Sequence, residues 1–154
     1  MPLDTEHRKE HDKNIQLIGG LAGMNPAPNN WIVTLYFYSA LHLVEENRWR
    51  RFKEDSENHS DRKRYVKRKL RCISDNYLSL YNDSVAARYD CVDMTDEKVQ
   101  SVKTEYSNLV AELDKRFPRP RRFRTAPMKP VAKPIPQNVP KSIPKPDNVL
   151  EKTE

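Results

Sequence analysis

The sequence predicts an all-α protein, a four- or five-helix bundle that runs into an extended tail. Three observations carry that prediction. In residues 95–117 the apolar side chains Val99, Val102, Tyr106, Leu109, Val110, Leu113 and Phe117 recur at helical spacing, one stripe along roughly six turns. The segment Trp31 to Val44 is apolar on nearly every face and longer than a typical strand, the signature of a central buried helix. No alternating run of β-branched residues occurs anywhere, so nothing supplies a sheet.

Each element follows from its own residues. A first helix over 6–22 packs Ile15, Ile18 and Leu21, and Gly19-Gly20 weakens its end. Pro26 and Pro28 bar helix just before the second element, for which Asn29 or Asn30 offers an N-cap. That helix runs from Trp31 to Val44, and Glu45-Glu46-Asn47-Arg48 marks its emergence into solvent. A cationic helix over 60–71 has a narrow apolar seam of Tyr65, Val66 and Leu70. Residues 73–89 carry Tyr77, Leu80 or Tyr81, Ser84 and Arg88 at similar spacing. Thr95 caps the last helix, with Asp96 and Glu97 where the helix dipole favours anions, and Pro118 and Pro120 end it.

Charge divides the chain. Residues 1–114 hold 17 basic and 19 acidic side chains, whereas 115–154 hold 11 basic and 3 acidic, together with nine of the 12 prolines. Proline at that density lacks backbone donors and locks φ, which excludes helix and sheet alike. The expected organisation is a helical domain over 1–117 and a disordered or extended basic tail over 118–154. There is no apolar run of ~18 residues to cross a membrane. Met1-Pro2-Leu3-Asp4 lacks the apolar core of a secretory leader, so a cytoplasmic protein without membrane partners is expected. Cys72 and Cys91 make neither a disulfide framework nor a zinc cluster and default to core packing. Three glycines cannot build phosphate-cradling loops, and no metal-ligand spacing stands out, so neither a cofactor nor a metal is expected.

Two clusters carry cations. Seven of the ten residues 62–71 are Lys or Arg, and among them Arg64, Lys67, Arg68 and Arg71 suit a phosphate backbone. Like charges so close repel, and either internal acids (Glu45, Glu46, Asp55, Glu57) or a nucleic acid must offset them. In the tail, Arg121, Arg122 and Arg124 stand with Phe117 and Phe123, rings able to stack on unpaired bases. The other reading of that segment is a solubilising linker with its first Phe docked on the body.

Four residues offer chemistry. Metal-free RNA cleavage needs a proton carrier near neutral pH and a cation on the phosphorane. His59 and Arg62, three apart, share a helix face and supply both. His42 lies in the apolar helix, where Tyr38 and Glu45 are the expected partners. Arg88 follows two alanines and needs a partner such as Asp83, Asp90 or Asp93. The structural alternatives are a cap for His59, a solvated charge for Arg62, a satisfied buried imidazole for His42 and a structural ion pair for Arg88.

The order of these motifs resembles the HEPN-like superfamily of small helical bundles found in prokaryotic toxin–antitoxin, defence and nucleotide-handling systems. The likeness rests on Tyr36-Phe37-Tyr38-Ser39-Ala40-Leu41-His42-Leu43-Val44-Glu45, on His59-Ser60-Asp61-Arg62 and on Ser84-Val85-Ala86-Ala87-Arg88-Tyr89, and covers roughly residues 5–116. It implies a homodimer or a heteromeric partner complex and, in active members, metal-independent RNA cleavage. Those members share an Arg, four to six intervening residues and a His. Here the matching positions before His59 hold Phe52, Lys53 and Glu54, with Lys53 the one cation. Two functions are thus expected to compete. One is a nucleic-acid binder, of RNA more than DNA, with an RNase-like site at His42, His59, Arg62 and Arg88. The other is a non-catalytic adaptor that docks proteins through the bundle and the Pro/Lys tail.

Overall fold

The computed structural model describes residues 3–90 and 92–118, and every regular element in them is helical. Five helices, α1 Asp4–Ala22, α2 Asn29–Phe52, α3 His59–Lys69, α4 Ser74–Tyr89 and α5 Asp96–Arg116, follow in order, with a 3-10 turn Arg71–Ile73 between α3 and α4. Cys91 and the tail, with Arg121, Arg122 and Arg124, lie outside the described residues.

α2 is the axis. It packs against α1, α4 and α5, while α3 lies against α4 and the 3-10 turn. Val33, Phe37, Ala40 and Val44 on α2 are fully buried and meet Leu80 and Tyr77 of α4 and Val102 and Leu109 of α5 in one apolar cluster. The α5 stripe is as the spacing predicts: Val102, Tyr106, Leu109 and Leu113 are buried, and Thr95 caps the helix by accepting from the Lys98 N–H at 3.2 Å. Asn58 caps α3 in the same way, accepting from Asp61 N–H at 2.9 Å, so His59 is the first helical residue and not the cap.

α2 departs from expectation at both ends. Trp31, expected inside, is 63% exposed in the first turn, before the helix has entered between its neighbours. Asn29 and Asn30 are helical residues whose side chains lace the α4–α5 connection instead of capping. Asn30 donates to Ala87 O and Val92 O and accepts from Met94 N–H, while Asn29 donates to Met94 O. At the other end Glu45, Glu46 and Asn47 do not emerge into solvent. All three are buried, because each finds a polar partner: Arg62 for Glu45, Tyr65 for Asn47, and the guanidinium groups of Arg8 and Arg50 for Glu46. The helix continues to Phe52 and is closed by Lys53, which takes up a left-handed conformation at φ 59°.

α1 is held differently from the rest. It buries only His7, His11 and Ile18, and leaves Ile15 and Leu17 exposed. His7 and His11, one turn apart, turn their imidazoles inward, His11 Nε2 meeting the Tyr106 hydroxyl at 2.6 Å. A polar seam therefore does what an apolar stripe does elsewhere in the bundle.

Candidate nucleic-acid interface

α3 carries the cations because its apolar seam is so narrow. Tyr65 and Val66 face the core with Arg62, and nearly all other positions face outward. Where α3 runs beside α4, a groove of about 400 Å³ opens between them. Lys63, Arg64, Lys67 and Arg68 line one wall, and Leu78, Tyr81 and Asn82 the other. Among the described residues Arg64, Lys67, Arg68 and Lys69 form no ion pair, so the acids named as internal compensation do not reach them; Glu45 serves Arg62 alone on this helix. Lys63 lies over the Tyr81 ring, its ammonium 4.3 Å from the centroid. Arg71 stands apart from the groove, in the 3-10 turn.

His59 sits next to the groove, beside Ser60 of its lining. The imidazole rests on two aromatic rings, Phe37 at 5.9 Å and Tyr81 at 5.7 Å between centroids. Arg62 Nη1 lies 3.1 Å from His59 Nδ1. A guanidinium can only donate, so Nδ1 is the acceptor and the neutral ring carries its proton on Nε2. Burial of one side of the ring, then the charges of Arg62, Arg88 and Lys63, hold its pKa below the ordinary histidine range. The outward nitrogen of His59 is thus a hydrogen-bond donor at neutral pH, in a field made by three cations.

Arg62 is the hinge of the arrangement. The alternative of a solvated charge does not hold, for Arg62 is buried; its Nε donates to Glu45 Oε1 and its Nη1 to His59. Burial raises the pKa of Tyr77 nearby, which keeps that phenol neutral. Arg88 uses none of the three aspartates expected to pair with it: Asp83 binds Lys98 at 2.7 Å. It instead donates to Tyr38 Oη at 2.9 Å and Ser84 O at 2.9 Å, and its guanidinium covers the Tyr38 and Tyr89 rings. Bonded only to neutral groups, Arg88 keeps its full positive charge on the His59 side.

His42 does not join this group. Its partner is neither Tyr38 nor Glu45 but His7, with the two Nδ1 atoms 3.2 Å apart. Burial first, then the His7 imidazole, lower its pKa to about 4, so it stays neutral. His7 in turn places Nε2 at 3.1 Å from Asp55 Oδ1, and Asp55 and Glu45 complete a His–carboxylate group whose ligand atoms lie within 4.8 Å of one another. His7 and Asp55 were invisible as a pair in the sequence, being 48 residues apart; the available signal was two histidines one turn apart on a charged first helix.

Phe117, one of the two rings expected to stack on bases, is half-buried against the core, with the Arg51 guanidinium 5.0 Å from its centroid. It belongs to the bundle. Among the described residues no helix is long and apolar enough to cross a membrane. No family model matches the chain, and no curated protein or solved structure matches it either.

Proposed function

We propose that the protein is a HEPN-like helical bundle that binds single-stranded nucleic acid, RNA in preference to DNA, along the groove between α3 and α4. The observation that supports this best is the row Lys63, Arg64, Lys67 and Arg68 against Tyr81 and Asn82. The three outer cations form no ion pair among the described residues. Four clustered charges repel one another, and a phosphate backbone is the ligand that removes the repulsion. Tyr81 and Asn82 offer a ring and an amide to an unpaired base beside that backbone. Contacts of this kind read the backbone and not the sequence.

The experiment is a titration of a labelled, mixed-sequence single-stranded RNA across a salt series. Each phosphate contact contributes a slope of about −0.7 in log K against log salt for a single strand. Lys67→Ala and Arg68→Ala each reduce the slope by about that amount. A flat salt response, or unchanged slopes in both variants, sinks the proposal.

A second reading, metal-free cleavage of the bound RNA, is favoured by His59 alone. When the ring takes up a second proton, its Nε2–H can protonate a leaving oxygen and return His59 to the neutral form, with Arg62 and Arg88 supplying positive charge. Cleavage in chelator that is lost in His59→Gln supports it; intact RNA at high protein concentration removes cleavage and leaves binding standing.

A further inference from the structure

We propose that His7, Glu45 and Asp55 form a binding site for a first-row divalent cation, with zinc as its probe. They come from three segments, α1, the C-terminal half of α2 and the α2–α3 connection, and are the one such ligand group among the described residues. One imidazole and two carboxylates are a mixed nitrogen and oxygen donor set of the kind that holds zinc with an open fourth position.

Three features of the group point to a cation beyond the proximity of its members. Asp55 Oδ2 is enclosed and has no hydrogen-bond partner, an uncompensated acceptor of the sort that folded proteins seldom leave. His7 has the orienting partner that metal-bound histidines require. His42 Nδ1 lies 3.2 Å from His7 Nδ1 and fixes the ring so that His7 Nε2 faces the carboxylates. His7 Nε2 and Asp55 Oδ1 stand 3.1 Å apart and share one proton, which an incoming cation would replace.

Charge and mobility are also suited. Arg62 compensates Glu45, and the Ser56 N–H holds the second Glu45 oxygen at 2.9 Å, so Glu45 is fixed in place and the group keeps one net negative charge from Asp55. His7 and Glu45 are set on helices and buried, whereas Asp55 stands on the connection between α2 and α3. His7 Nε2 and Asp55 Oδ1 are already near the ~3.3 Å between neighbouring ligands of a tetrahedral zinc, and all three ligand atoms lie within 4.8 Å of one another. The nearby Arg62 opposes the ion, which sets a moderate affinity. The proposal does not rest on the RNA groove, although Arg62 links Glu45 to His59 beside it.

The test uses the full chain without an affinity tag, stripped by chelator and titrated with zinc in a calorimeter and with cobalt in a visible spectrometer. One ion per chain, a cobalt d–d spectrum and a raised melting temperature are expected. Asp55→Asn, on the connection, is expected to keep the fold by circular dichroism and to weaken zinc at least tenfold, and His7→Gln to do the same. Glu54→Gln, on the same connection but outside the group, retains wild-type affinity. Absence of binding to the wild-type chain, or wild-type affinity in either Asp55→Asn or His7→Gln, overturns the proposal.

Discussion

Arg62 donates in two directions at once, to the buried Glu45 carboxylate and to His59 at the surface. Removing one member of a buried pair strands the other charge, and this typically costs about 3–5 kcal/mol. Arg62→Met is therefore expected to lower stability by that order in urea unfolding. Adding Glu45→Leu to it should recover much of the loss; a double variant as unstable as the sum of the singles would contradict the pairing. His59 makes a separate prediction. Partial burial and the neighbouring cations depress its pKa in the free protein. A phosphate placed against its Nε2–H raises that pKa in the complex, so binding takes up a proton at Nδ1, which then no longer accepts from Arg62. Affinity for RNA should then increase as pH falls from 7.5 toward 5.5, about tenfold for each unit by which the bound pKa exceeds the free one. In His59→Gln the same titration should be flat, and an equal pH dependence in the variant would show that the proton goes elsewhere.

Among the elements, α1 stands apart. It is the helix whose packing is carried by histidines and one isoleucine, and Gly19 and Gly20 lie inside its last turns. A methyl group added at either glycine meets nothing within 4 Å. Each Gly→Ala change should thus stabilise the bundle by about 0.5–1 kcal/mol, read as a higher melting temperature, since the cost of glycine in a helix is removed without a clash. A destabilised variant would mean that α1 bends or packs there in a way the backbone does not show. With so little apolar surface buried, α1 should also exchange its amide protons faster than α2, whose Val33, Phe37, Ala40 and Val44 are fully enclosed. α3 presents the opposite economy. It buries Arg62, Tyr65 and Val66 and gives most of the rest of its length to cations, so substitutions at Lys67 and Arg68 should change binding and leave the unfolding free energy within about 0.5 kcal/mol of wild type.

At the scale of the whole molecule, the bundle closes on itself before the proline-dense segment begins. Phe117 packs on the core, and Arg50 donates to Pro118 O, the last hydrogen bond of the described chain. A chain ending at residue 120 is expected to keep the helical content and cooperative melting of the full protein. A large loss of either would show that residues beyond the bundle contribute to its core. Because eight of the 28 basic side chains lie after residue 120, the same truncation should weaken RNA binding and reduce its salt slope without moving the melting temperature.

Helical class, the α5 stripe, the buried core of α2 and the end of α5 ahead of Pro118 were all legible from residue order, because 3.6-residue periodicity, caps and proline act within a few positions along the chain. The pairing of His59 with Arg62 was legible for the same reason, being a single turn of one helix. The burial of Glu45, Glu46 and Asn47 was not, since a polar run reads as solvent-facing until a partner from another helix arrives. Nor were the choice of His7 by His42, or the meeting of His7, Glu45 and Asp55. Local spacing determines which side chains share a face, but which faces meet depends on how α1 and the α2–α3 connection pack across α2, and no short-range signal encodes that.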